Sequence, residues 1–179
     1  MKIALISCGR SDYSIYFPLM KKLKADPYFS LNVIAFGTHV SRFYDRTVNR
    51  FYEDGFDVVY EVESIVLGDS SEAISSSMGL TLVKFSCMWV QEEYDLIIVL
   101  GDRYEMFSAI ASSVPFNIPV AHLHGGETTL GAIDDKFRHC ITSMSKFHFV
   151  TTESHKKRVK DILGHSNHIY NVGAPALDN

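Results

Sequence analysis

Between Leu100 and His139 the chain reads LGDRYEMFSAIASSVPFNIPVAHLHGGETTLGAIDDKFRH, and acids, histidines and glycines crowd this stretch. Asp102 follows an aliphatic run and a glycine, a position that half desolvates a carboxylate and tunes it for proton transfer. Capping of the next helix, or pairing with Arg103, accounts for Asp102 equally well. His122 and His124 lie two apart at the end of a second aliphatic run and are expected to project to one face. Such a pair can ligate zinc with Glu127 or Asp134, but no third ligand stands at a regular spacing, and no metal is expected. Gly125 and Gly126 allow a tight turn that sends Glu127 where other residues could not. Asp134 and Asp135 open a helical pattern, with Arg138 and His139 on its first turns; capping explains one of the two acids and not the whole concentration.

A second loop, Cys8 to Asp12, also follows a short aliphatic run. Gly9 permits close backbone approach, Arg10 is a bidentate anion clamp or a solvated loop residue, and a helix starts just behind. The chemistry that fits is a phosphate seat. The loop is not a GxGxxG fingerprint, so a nicotinamide cofactor is not expected, and no other cofactor is implied.

Both loops need a scaffold that presents strand ends side by side. Residues 3–6 form an aliphatic run, and Ile15, Leu19, Met20 and Leu23 recur at helical spacing before Pro27. Further strands are predicted over 31–36, 57–62, 95–100, 118–123, 147–150 and 168–172. Helices are predicted over 39–54 (aromatic-rich), 72–93, 106–114, 134–145 and 154–163, and the segment from Asn171 to the end is read as having no further element. The continuous LIIVL run implies a strand buried on both faces. Strand and helix alternate throughout, so the fold class is α/β: a doubly wound, mostly parallel Rossmann-like sheet with helices on both faces. Ligands of such sheets sit beyond the carboxyl ends of the strands where the winding reverses. If the first and fourth strands flank the reversal, Cys8–Asp12 and 101–104 face each other.

Composition narrows the partners. The 179 residues are 46% hydrophobic and 21% charged, enough for one globular core. A net charge of −4 leaves no basic face for nucleic acid or an anionic membrane. The three cysteines are odd in number and lack metal spacing, which suits reduced thiols and a cytoplasmic setting. The start of the chain is too short an apolar stretch for a signal peptide, and no run is read as approaching the roughly 20 residues of a membrane span. An apolar helix over 72–93 makes a homo-oligomer plausible.

The segments SCGRSDYS (7–14), GTH (37–39), GDRYEM (101–106), PVAHLHGGETTLGAIDDKFRH (119–139) and NVGAP (171–175) together resemble the UDP-N-acetylglucosamine 2-epimerases. The likeness is greatest to the hydrolysing branch, which makes N-acetylmannosamine or a related sugar for sialic and other nonulosonic acids. It runs over nearly the whole chain, and HGGE with GAIDDxxRH is its most specific part. The resemblance implies a glycosyltransferase-B-like pair of Rossmann-like domains with the active site between them. This chain, 1–179, then corresponds to the N-terminal domain, and the C-terminal nucleotide-binding domain is absent from it.

The implied substrate is a UDP-sugar, eliminated through a glucal that is then rehydrated. Asp102, Glu127 and Asp134 become the acid and base candidates and Arg10 the phosphate contact, while Gly9, Asp12, His122, His124, Arg138 and His139 become sugar contacts or orienting groups. The chain departs from the pattern at His124, where many members carry a catalytic Glu; either Glu127 or His124 takes that role. Alternatives that share the architecture are a non-hydrolysing epimerase or a glycosyltransferase domain; a non-catalytic nucleotide- or partner-binding module is a third.

Overall fold

A computed structural model describes residues 1–129 and 133–178; Leu130, Gly131 and Ala132, the last two of them opening the GAIDD motif, and Asn179 lie outside the described residues. The chain builds strands β1 (Lys2–Ser7), β2 (Ser30–Phe36), β3 (Val58–Val62), β4 (Leu96–Leu100), β5 (Val120–Leu123), β6 (Phe147–Val150) and β7 (Ile169–Asn171). Between them run helices α1 (Arg10–Ala25), α2 (Asn49–Glu53), α3 (Ser71–Gln91), α4 (Tyr104–Ser113), α5 (Asp134–Met144) and α6 (Glu153–Leu163). The seven strands form one sheet in the order β3-β2-β1-β4-β5-β6-β7, and every pairing is parallel. A parallel sheet must be covered on both faces, because its crossovers place helices there.

The cover divides where the winding reverses. On one face Ile3 and Leu5 of β1 pack with Tyr16, Met20 and Leu23 of α1 and with Phe51 of α2. On the other, Ala4 and Ile6 meet Phe85, Met88 and Trp89 of α3, Met106 and Ile110 of α4, and Ile141 of α5. A smaller cluster, Val150, Val159 and Ile169, seats α6. The long β3–α3–β4 crossover carries the chain from the outer strand to the far side of β1, and β1 pairs directly with β4 (Ile3 opposite Leu96, Leu5 opposite Ile98). The carboxyl ends of β1 and β4 are therefore neighbours, as the strand reading required.

Three sequence expectations need correction. The helix expected over 39–54 is broken into two 3₁₀ turns, Gly37–His39 and Arg42–Tyr44, and the short α2. Asp45 and Arg46 stand at φ 60° and 42°, left-handed backbone that a continuing helix cannot contain. The aromatic residues that suggested a helical stripe divide accordingly: Phe51 is buried, while Phe43 is 76% exposed. The terminal segment is not featureless, since Pro175–Asp178 form a 3₁₀ turn and Val172, Pro175 and Asp178 line an apolar cavity with Leu19 and Leu23 of α1. Third, α3 is long and apolar enough, by length and composition, to cross a membrane. Its Ala73, Phe85, Met88 and Trp89 are buried, and Trp89 donates from Nε1 to Ser112 Oγ at 2.9 Å; a helix that links two strands of one sheet and fills its core is a crossover.

Gly37, at the end of β2, shows how tightly the two strand-end loops meet. Its φ is +62°, and a Cβ there would lie 2.8 Å from the Cys8 carbonyl oxygen. Gly37→Ala is expected to destabilise the fold by about 2 kcal/mol, the left-handed backbone alone costing about 1–2. Urea unfolding of both proteins measures the difference; equal midpoints would show that the loops are not in contact.

Candidate functional site

At the reversal the loops after β1, β4 and β5 enclose a cleft of about 180 Å³ whose lining includes Asp12, Gly101, Asp102, Arg103, His124, Glu127 and Arg138. Larger cavities, about 350 Å³ between Gly37–Phe43 and Glu63–Leu67, about 390 Å³ on the apolar face of the sheet and about 200 Å³ beside Phe29 and Phe56, contain none of Asp12, Asp102 and Glu127. The chemistry, not the size, selects the cleft.

The loop after β1 is held from below. Asp12 Oδ2 accepts from the backbone N–H of Cys8 at 2.8 Å and of Gly9 at 3.0 Å. Burial raises the Asp12 pKa while these two N–H groups oppose the rise. The GTH turn closes the loop from the side. Thr38 Oγ1 donates to the Cys8 carbonyl at 2.9 Å, and the His39 ring joins Ser7 Oγ at 2.9 Å to Thr47 Oγ1 at 2.7 Å. His39 is buried, and that desolvation lowers its pKa to about 4. Asp12 thus shapes the loop through Oδ2 while it lines the cleft. Gly9 is the N-cap of α1 and a Cβ there would touch Thr38 Oγ1 at 3.2 Å and Arg103 Nη1 at 3.4 Å. Arg10, the first residue of α1, is exposed and does not line the cleft.

Across the reversal, Arg138 reaches back along α5 and is 5% exposed. Its Nη2 pairs with Asp102, and its Nη1 contacts the His124 carbonyl at 3.1 Å and Glu127 Oε2 at 3.4 Å. Asp102 therefore pairs with Arg138 and neither caps α4 nor pairs with Arg103. Arg103 instead forks onto the fully buried Glu105, at 2.8 and 3.2 Å. Glu127 Oε1 receives His124 Nδ1 at 2.9 Å and the Thr151 hydroxyl at 3.0 Å. Burial alone would raise its pKa, but His124, Thr151 and Arg138 together hold it down at about 2.

The histidine pair separates. His122 is 0% exposed, its Nε2 donates to the Gly101 carbonyl at 2.8 Å and its Nδ1 accepts from Thr142 Oγ1 at 3.2 Å. Burial lowers its pKa to about 3, so it is a neutral strut under the β4 loop. His124 has left the strand, at φ 64°, and its ring turns to Glu127; the alternation of an extended strand ends one residue too early for a shared face. Neither Asp134 nor Asp135 caps α5. Ile133 occupies the N-cap position without a side-chain cap bond, and Asp135 Oδ1 accepts from the Thr129 N–H at 2.8 Å. Asp134 lies outside the cleft lining but within reach of its charges: burial and the Asp102 carboxylate raise its pKa. His139, further along α5, does not line the cleft either, and its buried Nε2 has no hydrogen-bond partner among the described residues.

Sequence reasoning singled out neither Arg103 and Glu105 nor Thr151 and His39. GDRYEM contains the first two and GTH contains His39, both within motifs quoted above, yet a single sequence does not tell which polar partner each of these residues finds.

The arrangement has two kinds of carboxyl group beside one cleft, Glu127 with its pKa lowered and Asp134 with its pKa raised, and groups of different proton affinity are what removal and return of a proton require. The class defined by this fold and site is an α/β domain of Rossmann-like type with an acid-bearing cleft where the winding reverses. The profile of the family described as UDP-N-acetylglucosamine 2-epimerase matches residues 21–179, and the chain belongs to that family. It is 34% identical over 178 residues to the polysialic acid biosynthesis protein P7 of Escherichia coli, covering 99% of this chain and 46% of that protein. It is likewise 34% identical over 175 residues to the GDP/UDP-N,N'-diacetylbacillosamine 2-epimerase (hydrolyzing) of Campylobacter jejuni, covering 98% of this chain and 45% of that one. The fold superposes at TM-score 0.85 on UDP-GlcNAc 2-epimerase from Neisseria meningitidis bound to UDP-GlcNAc, at 18% identity, over 99% of this chain and 47% of that chain. The chain thus spans about half the length of the relatives it matches.

The buried histidines make a pH prediction. His39, His122 and His148 have folded pKa values of about 4, 3 and 4, below the ordinary 6.5, all through burial. The unfolded chain binds more protons between those values, so stability is full above pH ~6.5 and falls as pH drops toward 4. Denaturant midpoints across pH 4–8 are expected to decline on the acid side, and His122→Asn to flatten the decline; a midpoint constant over this range contradicts neutral burial.

Proposed function

We propose that this chain is the N-terminal, sugar-handling half of a hydrolysing UDP-N-acetylglucosamine 2-epimerase, acting on UDP-N-acetylglucosamine or a related UDP-acetamido sugar. The observation that carries the reading is the convergence of Asp102, His124, Glu127 and Arg138 in one cleft at the β1–β4 reversal. Removal of the proton from the carbon bearing the acetamido group needs an ionised carboxylate, and Glu127 or Asp102 supplies it. Departure of UDP leaves a glucal. Water then adds at the anomeric carbon and a proton returns to the opposite face, for which Asp134, with its raised pKa, is suited. In this reading Glu127 takes the role that many relatives give to a residue at position 124, and His124 orients it. Arg10 is free to meet the diphosphate, while Gly9 lets backbone approach.

A second, C-terminal nucleotide-binding domain completes the cleft; the 45–47% coverage of the relatives supports this. The 179-residue chain alone is then expected to bind UDP-sugar weakly and turn over little or nothing. Its cysteines are free, which fits a cytoplasmic setting, and the exposed Leu80, Leu82, Val83 and Val90 of α3 support self-association.

The test is to incubate UDP-N-acetylglucosamine with a protein in which this chain is joined to its C-terminal half, and to identify the products. Free N-acetylmannosamine plus UDP supports the reading; a UDP-linked epimer favours a non-hydrolysing enzyme, and no product a binding module. In that protein Asp102→Asn and Glu127→Gln are each expected to lower kcat at least about 100-fold with the fold intact, as removal of acid–base groups does. Near wild-type rates in either variant remove that residue from the mechanism.

A further inference from the structure

Thr151 and His155 belong to no motif that the sequence singled out, and neither lines the cleft. Thr151 directly follows β6, so its position is fixed by the sheet, and Thr152 beside it caps α6, its hydroxyl accepting from the His155 N–H at 3.2 Å. The Thr151 hydroxyl is therefore not needed as a cap. It lies 3.0 Å from Glu127 Oε1 and 2.8 Å from His155 Nδ1. A hydroxyl has one proton to give. Ionised Glu127 only accepts, so the Thr151 proton goes to Glu127, and His155 Nδ1 must carry the hydrogen that Thr151 accepts.

We propose that Thr151 and His155 are positioning residues for Glu127: a hydrogen-bond chain running from His155 Nδ1–H through the Thr151 hydroxyl to Oε1 fixes the carboxylate for proton transfer. The inference rests on the reading of Glu127 as an acid–base group. Its geometry is reinforced by the way α6 sits on the HGGE turn. Arg158 Nη1 donates to the Gly126 carbonyl at 2.6 Å, and a Cβ on Gly126, at φ +78°, would come within 2.4 Å of the His155 carbonyl oxygen. Glycine at 126 is thus what lets α6 approach closely enough for the chain to close. The charged and titratable groups facing Glu127 are His124 from the end of β5, Arg138 from α5 with Asp102 beyond it, and His155 and Arg158 from α6. Among them only His155 acts through a hydroxyl, which can point one way at a time.

The decisive experiment is ¹⁵N NMR of the histidine rings in the 179-residue chain above pH 7. His155 is expected in the Nδ1–H tautomer, the less common form of free imidazole side chains, and Thr151→Val is expected to return it to Nε2–H while Thr151→Ser keeps Nδ1–H. An Nε2–H ring in the wild-type chain overturns the proposal, because Thr151 would then donate to His155 and leave Glu127. In the two-domain protein, Thr151→Val is expected to lower kcat about tenfold with KM little changed, and Thr151→Ser to restore it; an unchanged kcat overturns the positioning role. Full turnover by Glu127→Gln would refute the acid–base reading and leave the tautomer result standing, so the two failures are distinguishable.

Discussion

The buried guanidinium of Arg138 is the interaction on which the site depends. A charge that is 5% exposed is tolerable only when its hydrogen bonds are matched, since desolvating a lone cation costs several kcal/mol. Arg138 goes most of the way by drawing in Asp102 from the loop after β4 and Glu127 and the His124 carbonyl from the loop after β5, while its Nε has, among the described residues, only Asp135 Oδ1 at 3.9 Å beside it. Two acids that would otherwise repel one another share one cation, and both face the same cleft. Arginine suits this better than lysine because its planar fork can serve several acceptors from one fixed position.

The cation can do this only because of the strand order. With β1 beside β4, the loops that follow β1, β4 and β5 are adjacent, and the crossover through α3 opens the crevice between them. Two of these loops are then stiffened by a neutral group beneath them: His39 under the β1 loop, and His122 under the β4 loop. Both histidines are buried and uncharged, so they add rigidity without adding charge to the site.

Much of this was legible in the sequence, for a physical reason. Buried parallel strands are continuous apolar runs, and glycine, acid and histidine follow them where the chain turns out of the sheet, so strand ends and their loops announce themselves. LIIVL before GD, and VAHL before HGGE, located the cleft wall. The helix expected over 39–54 failed because hydrophobic spacing carries no record of the left-handed backbone at Asp45 and Arg46. The predicted pairing of His122 with His124 failed for a related reason, the strand ending a residue early. Thr151 with Glu127 was invisible because its meaning lies in which partner it finds, and that is set by tertiary packing.

The central claim is that the Arg138-centred cleft is the half-site for an acetamido sugar nucleotide. It is tested most directly by titrating UDP-N-acetylglucosamine into the isotopically labelled chain and following its NMR resonances. The account predicts weak, saturable shifts at Gly101, Asp102, His124 and Glu127 and at the Arg138 guanidinium. Shifts confined to the separate cavity between Gly37–Phe43 and Glu63–Leu67, with the carboxylate cluster unmoved, would contradict it.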